Sequence, residues 1–141
     1  MMLTSSVENA FRGMALVRAA EAMMRALGGE EITLLFPAIS LPNDPAAQLG
    51  LADPGVEQVQ ISPVVRRALL FDNESTARRF EYLMPAAVVL PLIEKRSAPS
   101  AQEFFDAALG ILHQGVLLRI ERITTEYFAG TAYLYRVIAG D

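Results

Sequence analysis

The chain has 141 residues, 52% of them hydrophobic and 20% charged, with no cysteine and a formal net charge of −4. That length suits one compact domain, residues 1–141, with a core of its own, since about two thirds of the unfolded surface is buried at this size. The composition excludes wholesale disorder. The missing cysteines exclude disulfides and thiolate chemistry, and the acidic balance argues against nucleic-acid binding, which depends on clustered Lys and Arg.

Residues 5–27 predict a helix, opened by Ser5 and Glu8 at capping-box spacing and stopped by Gly28-Gly29. On a helical wheel Ala10, Gly13, Leu16, Val17, Ala20, Met23, Met24 and Leu27 share the face expected to meet the core. Val7, Phe11 and Met14 fall on the far side among charges and need a second partner, either another element of the domain or a neighbouring subunit. Glu8, Arg12, Arg18, Glu21 and Arg25 interrupt the apolar stretch, so no secretory signal is expected. No run reaches the roughly 18–20 apolar residues of a membrane span.

EITLLF at 31–36 reads as a strand. The stretch 37–55 then carries Pro37, Pro42, Pro45 and Pro54, an unusually long connection for a compact domain. It also holds Ile39, Leu41, Leu49 and Leu51, more aliphatic surface than a passive linker needs. It is expected to order on contact with the domain or with a partner.

Residues 56–71 are strand-like, with Pro63 forcing a bulge, an edge or a break. DNES at 72–75 has turn chemistry. TARRFEYLM at 76–84 then alternates, with Thr76, Arg78, Phe80, Tyr82 and Met84 on one face, which predicts a hairpin over 56–84. Residues 85–96 fit either a short helix opened by Pro85 or a buried strand, and Pro91 disfavours a continuous version of both.

Ser100 and Glu103 repeat the capping-box spacing and predict a second helix to about Leu112, closed at Gly115. His113, the only histidine, would then sit on the polar side of the helix end, where a cation suits the dipole. Its nearest acidic neighbour on that face is Asp106, two turns back, so it reads as a solvated residue and not as a positioned base.

The closing segments, about 116–125 and 131–139, predict a hairpin turning at 128–130. If paired residue numbers sum to odd values, Val116, Leu118, Ile120, Arg122 and Thr124 share a face with Tyr133, Tyr135 and Val137. One such register sets Glu121 opposite Arg136. If the sums are even, the tyrosines face Arg119 and Glu121 and form a polar-aromatic strip. The odd register is favoured, because it yields one strongly apolar face and a matched ion pair.

No nucleophile motif, phosphate-cradling glycine loop or metal-ligand spacing occurs, and Asp44, Asp53, Glu57, Asp72 and Glu74 are dispersed. The expectation is a non-enzymatic α+β domain without cofactor or metal, a small antiparallel β-barrel or sandwich with an N-terminal helix and a second helix before the closing hairpin.

The element order over 56–139 and the paired ending resemble the small head–tail joining and tail-completion proteins of tailed phages and prophages. The ending is Gly115-Val116-Leu117-Leu118-Arg119-Ile120 followed by Tyr133-Leu134-Tyr135-Arg136-Val137. The longer N-terminal helix departs from that pattern. The resemblance implies a ring-forming structural protein that is cytoplasmic before assembly and virion-bound afterwards, its partners being copies of itself and other virion proteins. It implies no catalytic residue. Val7, Phe11, Met14, Ile39, Leu41, Leu49 and Leu51 are the contact candidates. The alternative is a small-ligand-binding barrel whose mouth is lined by Tyr133, Tyr135 and Arg122.

Overall fold

The computed structural model describes residues 2–38, 55–69 and 78–141, with side chains from Arg12 onward. Among these, helix α1 (Met2–Ala26) is followed by strands β1 (Glu30–Pro37), β2 (Val56–Ala68) and β3 (Arg79–Pro85). Helices α2 (Ala86–Lys95) and α3 (Ala101–Asp106) come next, then strands β4 (Gly110–His113), β5 (Val116–Phe128) and β6 (Thr131–Gly140). The described strands pair antiparallel and close into a barrel in the order β1-β2-β3-β6-β5-β4. The fold is therefore α+β and the sheet is a barrel, which removes exposed strand edges by closure.

Alternation in the sequence sets the interior. Ile32, Leu34 and Phe36 of β1, Tyr82 and Met84 of β3, and Tyr135, Val137 and Ala139 of β6 belong to one buried cluster. β2 runs through Pro63 without breaking. Residues up to Val64 pair with β1 and those from Val65 pair with β3. The proline thus sits where the strand changes neighbours, where a missing N–H costs least.

Two expectations near the second helix are resolved differently. Residues 86–95 are helical, with Pro85 at the N-cap, and the buried face Ala86, Val89 and Ile93 continues past an exposed Pro91. Ser100 does cap α3, its Oγ accepting from the Glu103 amide at 3.2 Å. That helix ends at Asp106, however, and not near Leu112. Residues 110–113 instead form β4, which closes the barrel between β1 and β5. The apolar stripe of a helix and the inward Ile111/His113 pair of a strand are both consistent with this short stretch. Pairing on both sides decides between them. Gly110 permits the fit, since a Cβ there would stand 2.5 Å from the Leu118 carbonyl oxygen.

The β5–β6 hairpin is neither wholly odd nor wholly even. Arg119↔Gly140 and Ile120↔Ala139 are odd, Arg122↔Ile138 through Glu126↔Leu134 are even, and Tyr127↔Ala132 and Phe128↔Thr131 are odd again. Glu121 is the extra residue on β5 and Tyr133 the extra residue on β6, a β-bulge on each strand. Val116, Leu118 and Ile120 therefore share the interior with Tyr135 and Val137, as expected, but Ile123 replaces Arg122 beyond the bulge. The Glu121–Arg136 pair does not form. Glu121 meets Arg79 at 3.1 Å, while Arg136 meets Glu126 at 3.1 Å and the buried Glu81 at 3.7 Å. Arg67, paired with Glu81 at 2.8 Å, completes a charge chain across the outer face.

α1 packs on the outer face of the barrel, mainly against β6, and also reaches β2, β3 and α2. Gly13 sets the distance at the hairpin tip, where an added Cβ would stand 2.7 Å from Thr131 Cβ. Met24 is buried, but Met23 and Leu27, expected on the same core face, are exposed. The helix meets the barrel along a narrower stripe than the wheel suggests.

The two barrel ends differ in chemistry. At one end α2 and α3 fold into the core, with Phe104 5.2 Å from Phe36 and Phe105 6.2 Å from Tyr135, centroid to centroid. At the other end, where β1 and β3 start and β4 finishes, the interior carries polar side chains.

Candidate functional site

Of the expected contact residues, Met14 has a described side chain, 53% exposed, one position after the glycine that touches the hairpin. Val7 and Phe11 lie in α1, their side chains outside the described part, and Ile39, Leu41, Leu49 and Leu51 lie outside the described residues, as does the turn at 72–75. Sequence reasoning missed the hairpin tip. Tyr127 and Phe128 are 66% and 47% exposed. Phe128 is the cross-strand partner of Thr131, so it stands beside the Gly13–Met14 turn of α1. Tyr127 lies on the other face of the ribbon, toward Tyr135. The signal was available in EYFAG, two adjacent aromatics at a turn with no polar residue between them.

The tyrosines and arginine of the alternative reading do not converge. Tyr135 is sealed in the core at 2% exposure, and burial pushes its phenol above the ordinary tyrosine range. Arg122, opposite Ile138, is on the outside, and Tyr133 is the bulge residue.

The polar end holds a group that sequence spacing could not have assembled. His113 is not solvated. It is buried on β4, with its Nδ1 3.0 Å from Arg66 Nη1 and its Nε2 2.8 Å from Glu30 Oε2. A guanidinium can only donate, so Nδ1 accepts and Nε2 carries the proton that faces Glu30. With both nitrogens engaged, the ring orients its neighbours and offers no free site for general-base chemistry. Arg66 also lies over Phe80, 4.9 Å from the ring centroid. Its cross-strand neighbour Tyr82 is fully buried and packs edge-on to the imidazole at 5.9 Å. Tyr82 is held above the ordinary tyrosine range, because desolvation outweighs the pull of Arg66. Its hydroxyl has no partner at proper hydrogen-bond geometry. The guanidinium is therefore an electrostatic neighbour of that oxygen rather than a bonded one.

Two cavities bear on ligand chemistry. A groove of 490 Å³ runs between β2 and the end of α2, and its Arg96 is already paired with Glu57 at 2.8 Å and stacked 4.0 Å over Phe36. A smaller cavity of 190 Å³ opens at the polar end beside Arg66, Arg78 and His113. Among the described residues no cluster of three or more His, Asp or Glu could hold a metal ion, and no helix is long and apolar enough to cross a membrane.

The architecture is thus a closed six-stranded antiparallel barrel with one helix on its outer wall and two filling one end. Comparison with known proteins returns no matching family model, no matching curated protein and no matching solved structure.

Proposed function

We propose that this chain is a non-enzymatic assembly protein that self-associates, and that its place is a head–tail joining or tail-completion position in a tailed phage or prophage particle. One observation carries the reading: Met14 and Phe128 stand exposed beside the contact between α1 and the β5–β6 tip, and Tyr127 is exposed on the opposite face of the same tip. Each such side chain, if buried by a neighbour, supplies about 1.5–3 kcal/mol. Contiguous exposed apolar surface on a folded domain marks a contact site. The long helix supports the same role, because from Gly13 it continues toward its N-terminus for roughly 16 Å. The barrel interior is filled by side chains, which favours a scaffold over a chamber for a large ligand.

Sedimentation velocity and light scattering over a range of concentrations test the self-association. A discrete oligomer is expected, and changing Tyr127 and Phe128 together to serine returns it to monomer with the far-UV CD spectrum retained. A wild-type chain that stays monomeric at every concentration overturns the reading. Co-sedimentation of tagged protein with particles after prophage induction tests the virion placement.

A further inference from the structure

Arg66 is half-buried and has no carboxylate at ion-pair distance among the described residues. Nη1 donates to the imidazole and the cation rests on Phe80. Beyond the nearby Tyr82 hydroxyl, which is not bonded at proper geometry, no other acceptor among the described residues meets its remaining N–H groups. Glu30 compensates the charge only from the far side of His113. A cation removed from water in this way attracts a counter-charge, and apolar walls strengthen that attraction. Beside it lies the 190 Å³ cavity, lined also by Arg78 and Gln114 and walled by Phe80, Val116 and Leu118. This volume holds an ion of a few heavy atoms together with water, a single water occupying about 30 Å³ in the liquid. In the larger groove Arg96 is already paired with Glu57, and the second cation, Lys95, is exposed to water, so that groove lacks the same pull.

We propose that the polar end of the barrel is a binding site for a small oxyanion, a carboxylate or phosphate group held between Arg66 and Arg78 with the Gln114 amide at the rim. Glu30 and His113 are positioning residues. The carboxylate fixes the ring through Nε2–H, and the ring fixes the guanidinium through Nδ1, so Arg66 is set before the ion arrives. Arg78 is already paired with Asp141, so Arg66 supplies the uncompensated charge and Arg78 a secondary contact through its remaining N–H groups. Its Nε is occupied by Asp141 at 3.1 Å, and its side chain is largely exposed, which suits a gripping residue at the mouth.

The chain's single histidine is a built-in reporter for the test. Acetate and inorganic phosphate are each titrated at fixed pH and ionic strength against chloride, with the imidazole proton resonances followed by NMR. Saturable movement on the order of millimolar is expected for at least one of the two ions. Preference for acetate assigns a planar carboxylate source, and preference for phosphate a tetrahedral one. Arg66→Gln weakens binding by about tenfold or more, as expected for loss of a charged hydrogen-bonding partner. Should that variant fail to fold by CD, Arg66→Lys keeps the charge but loses the fork, and it still weakens binding. The proposal is overturned if neither ion moves the histidine saturably, if chloride reproduces the movement, or if the Arg66 variant that folds binds as tightly as the wild type.

Discussion

Replacing Gly13 with alanine sets two effects of similar size against each other. Alanine in a helix interior is favoured over glycine by about 1 kcal/mol. The new Cβ, however, falls 2.7 Å from Thr131 Cβ and 3.3 Å from its Cγ2, with Oγ1 nearer still. Carbon atoms at rest lie about 3.5–4.0 Å apart, so the shortfall is about 1 Å. Rotation about χ1 cannot relieve it, because the conflict includes Thr131 Cβ itself. The helix has to lift from β6, and overpacking of this kind costs about 1–3 kcal/mol. We expect Gly13→Ala to lower stability by about 1–2 kcal/mol despite its better propensity, measured by urea denaturation with far-UV CD. In a Thr131→Gly background the clashing atoms are gone, and there Gly13→Ala stabilises by about 1 kcal/mol, a reversal of sign within one double-mutant cycle. Wild-type stability or better in the single variant refutes the steric account of the α1–hairpin junction.

Two further outcomes follow from buried polar groups. Burial raises the phenols of Tyr82 and Tyr135 above the ordinary tyrosine value of 10.0, so the unfolded chain releases these protons first. Their contribution is intact below pH 10.0 and is lost as pH rises through the folded values, so alkaline denaturation steepens above that point. Phenolate absorbance from these two residues should appear together with unfolding and not before it. A titration that yields all four phenolates while near-UV CD stays native contradicts this. Glu81→Ala removes the acid that joins Arg67 and Arg136 on the outer face. It should cost about 1–3 kcal/mol in chemical denaturation, toward the low end because both arginines can turn to water. No loss at all would show that the charge chain is incidental.

How much of this was readable beforehand depended on distance along the chain. RFEYLM alternates on an uninterrupted ladder, so its faces were right, and the capping geometry of Ser100 needs only three residues. The failures needed partners from elsewhere. β4 reads as the tail of a helix until β1 and β5 are laid on either side of it. His113 looked solvated because its two partners, Arg66 and Glu30, lie on other strands, the first 47 positions away. Alternation also failed where the ladder slipped at Glu121 and at Tyr133, whereas the slip beside Pro63 was expected from the proline itself. An exposed tip needs no distant partner, and Tyr127-Phe128 was legible yet overlooked in favour of Tyr133 and Tyr135 beside it.

The paired bulges in the closing hairpin behave like two compensating frameshifts. Glu121 turns the inside-outside phase of β5 by one step, and Tyr133 turns that of β6 by one step, so the ladder leaves and returns to the same sum before the tip. Loss of Glu121 alone would let Arg122↔Ile138 follow Ile120↔Ala139 directly, so the bulge would vanish while Ile123 and Thr125 kept their inward face. Loss of both extra residues would leave base and tip in phase with a shorter, straighter ribbon. A single-residue deletion at either bulge therefore leaves the remaining pairs and faces of the hairpin as they are, and these two positions are where the ladder can absorb a change in length.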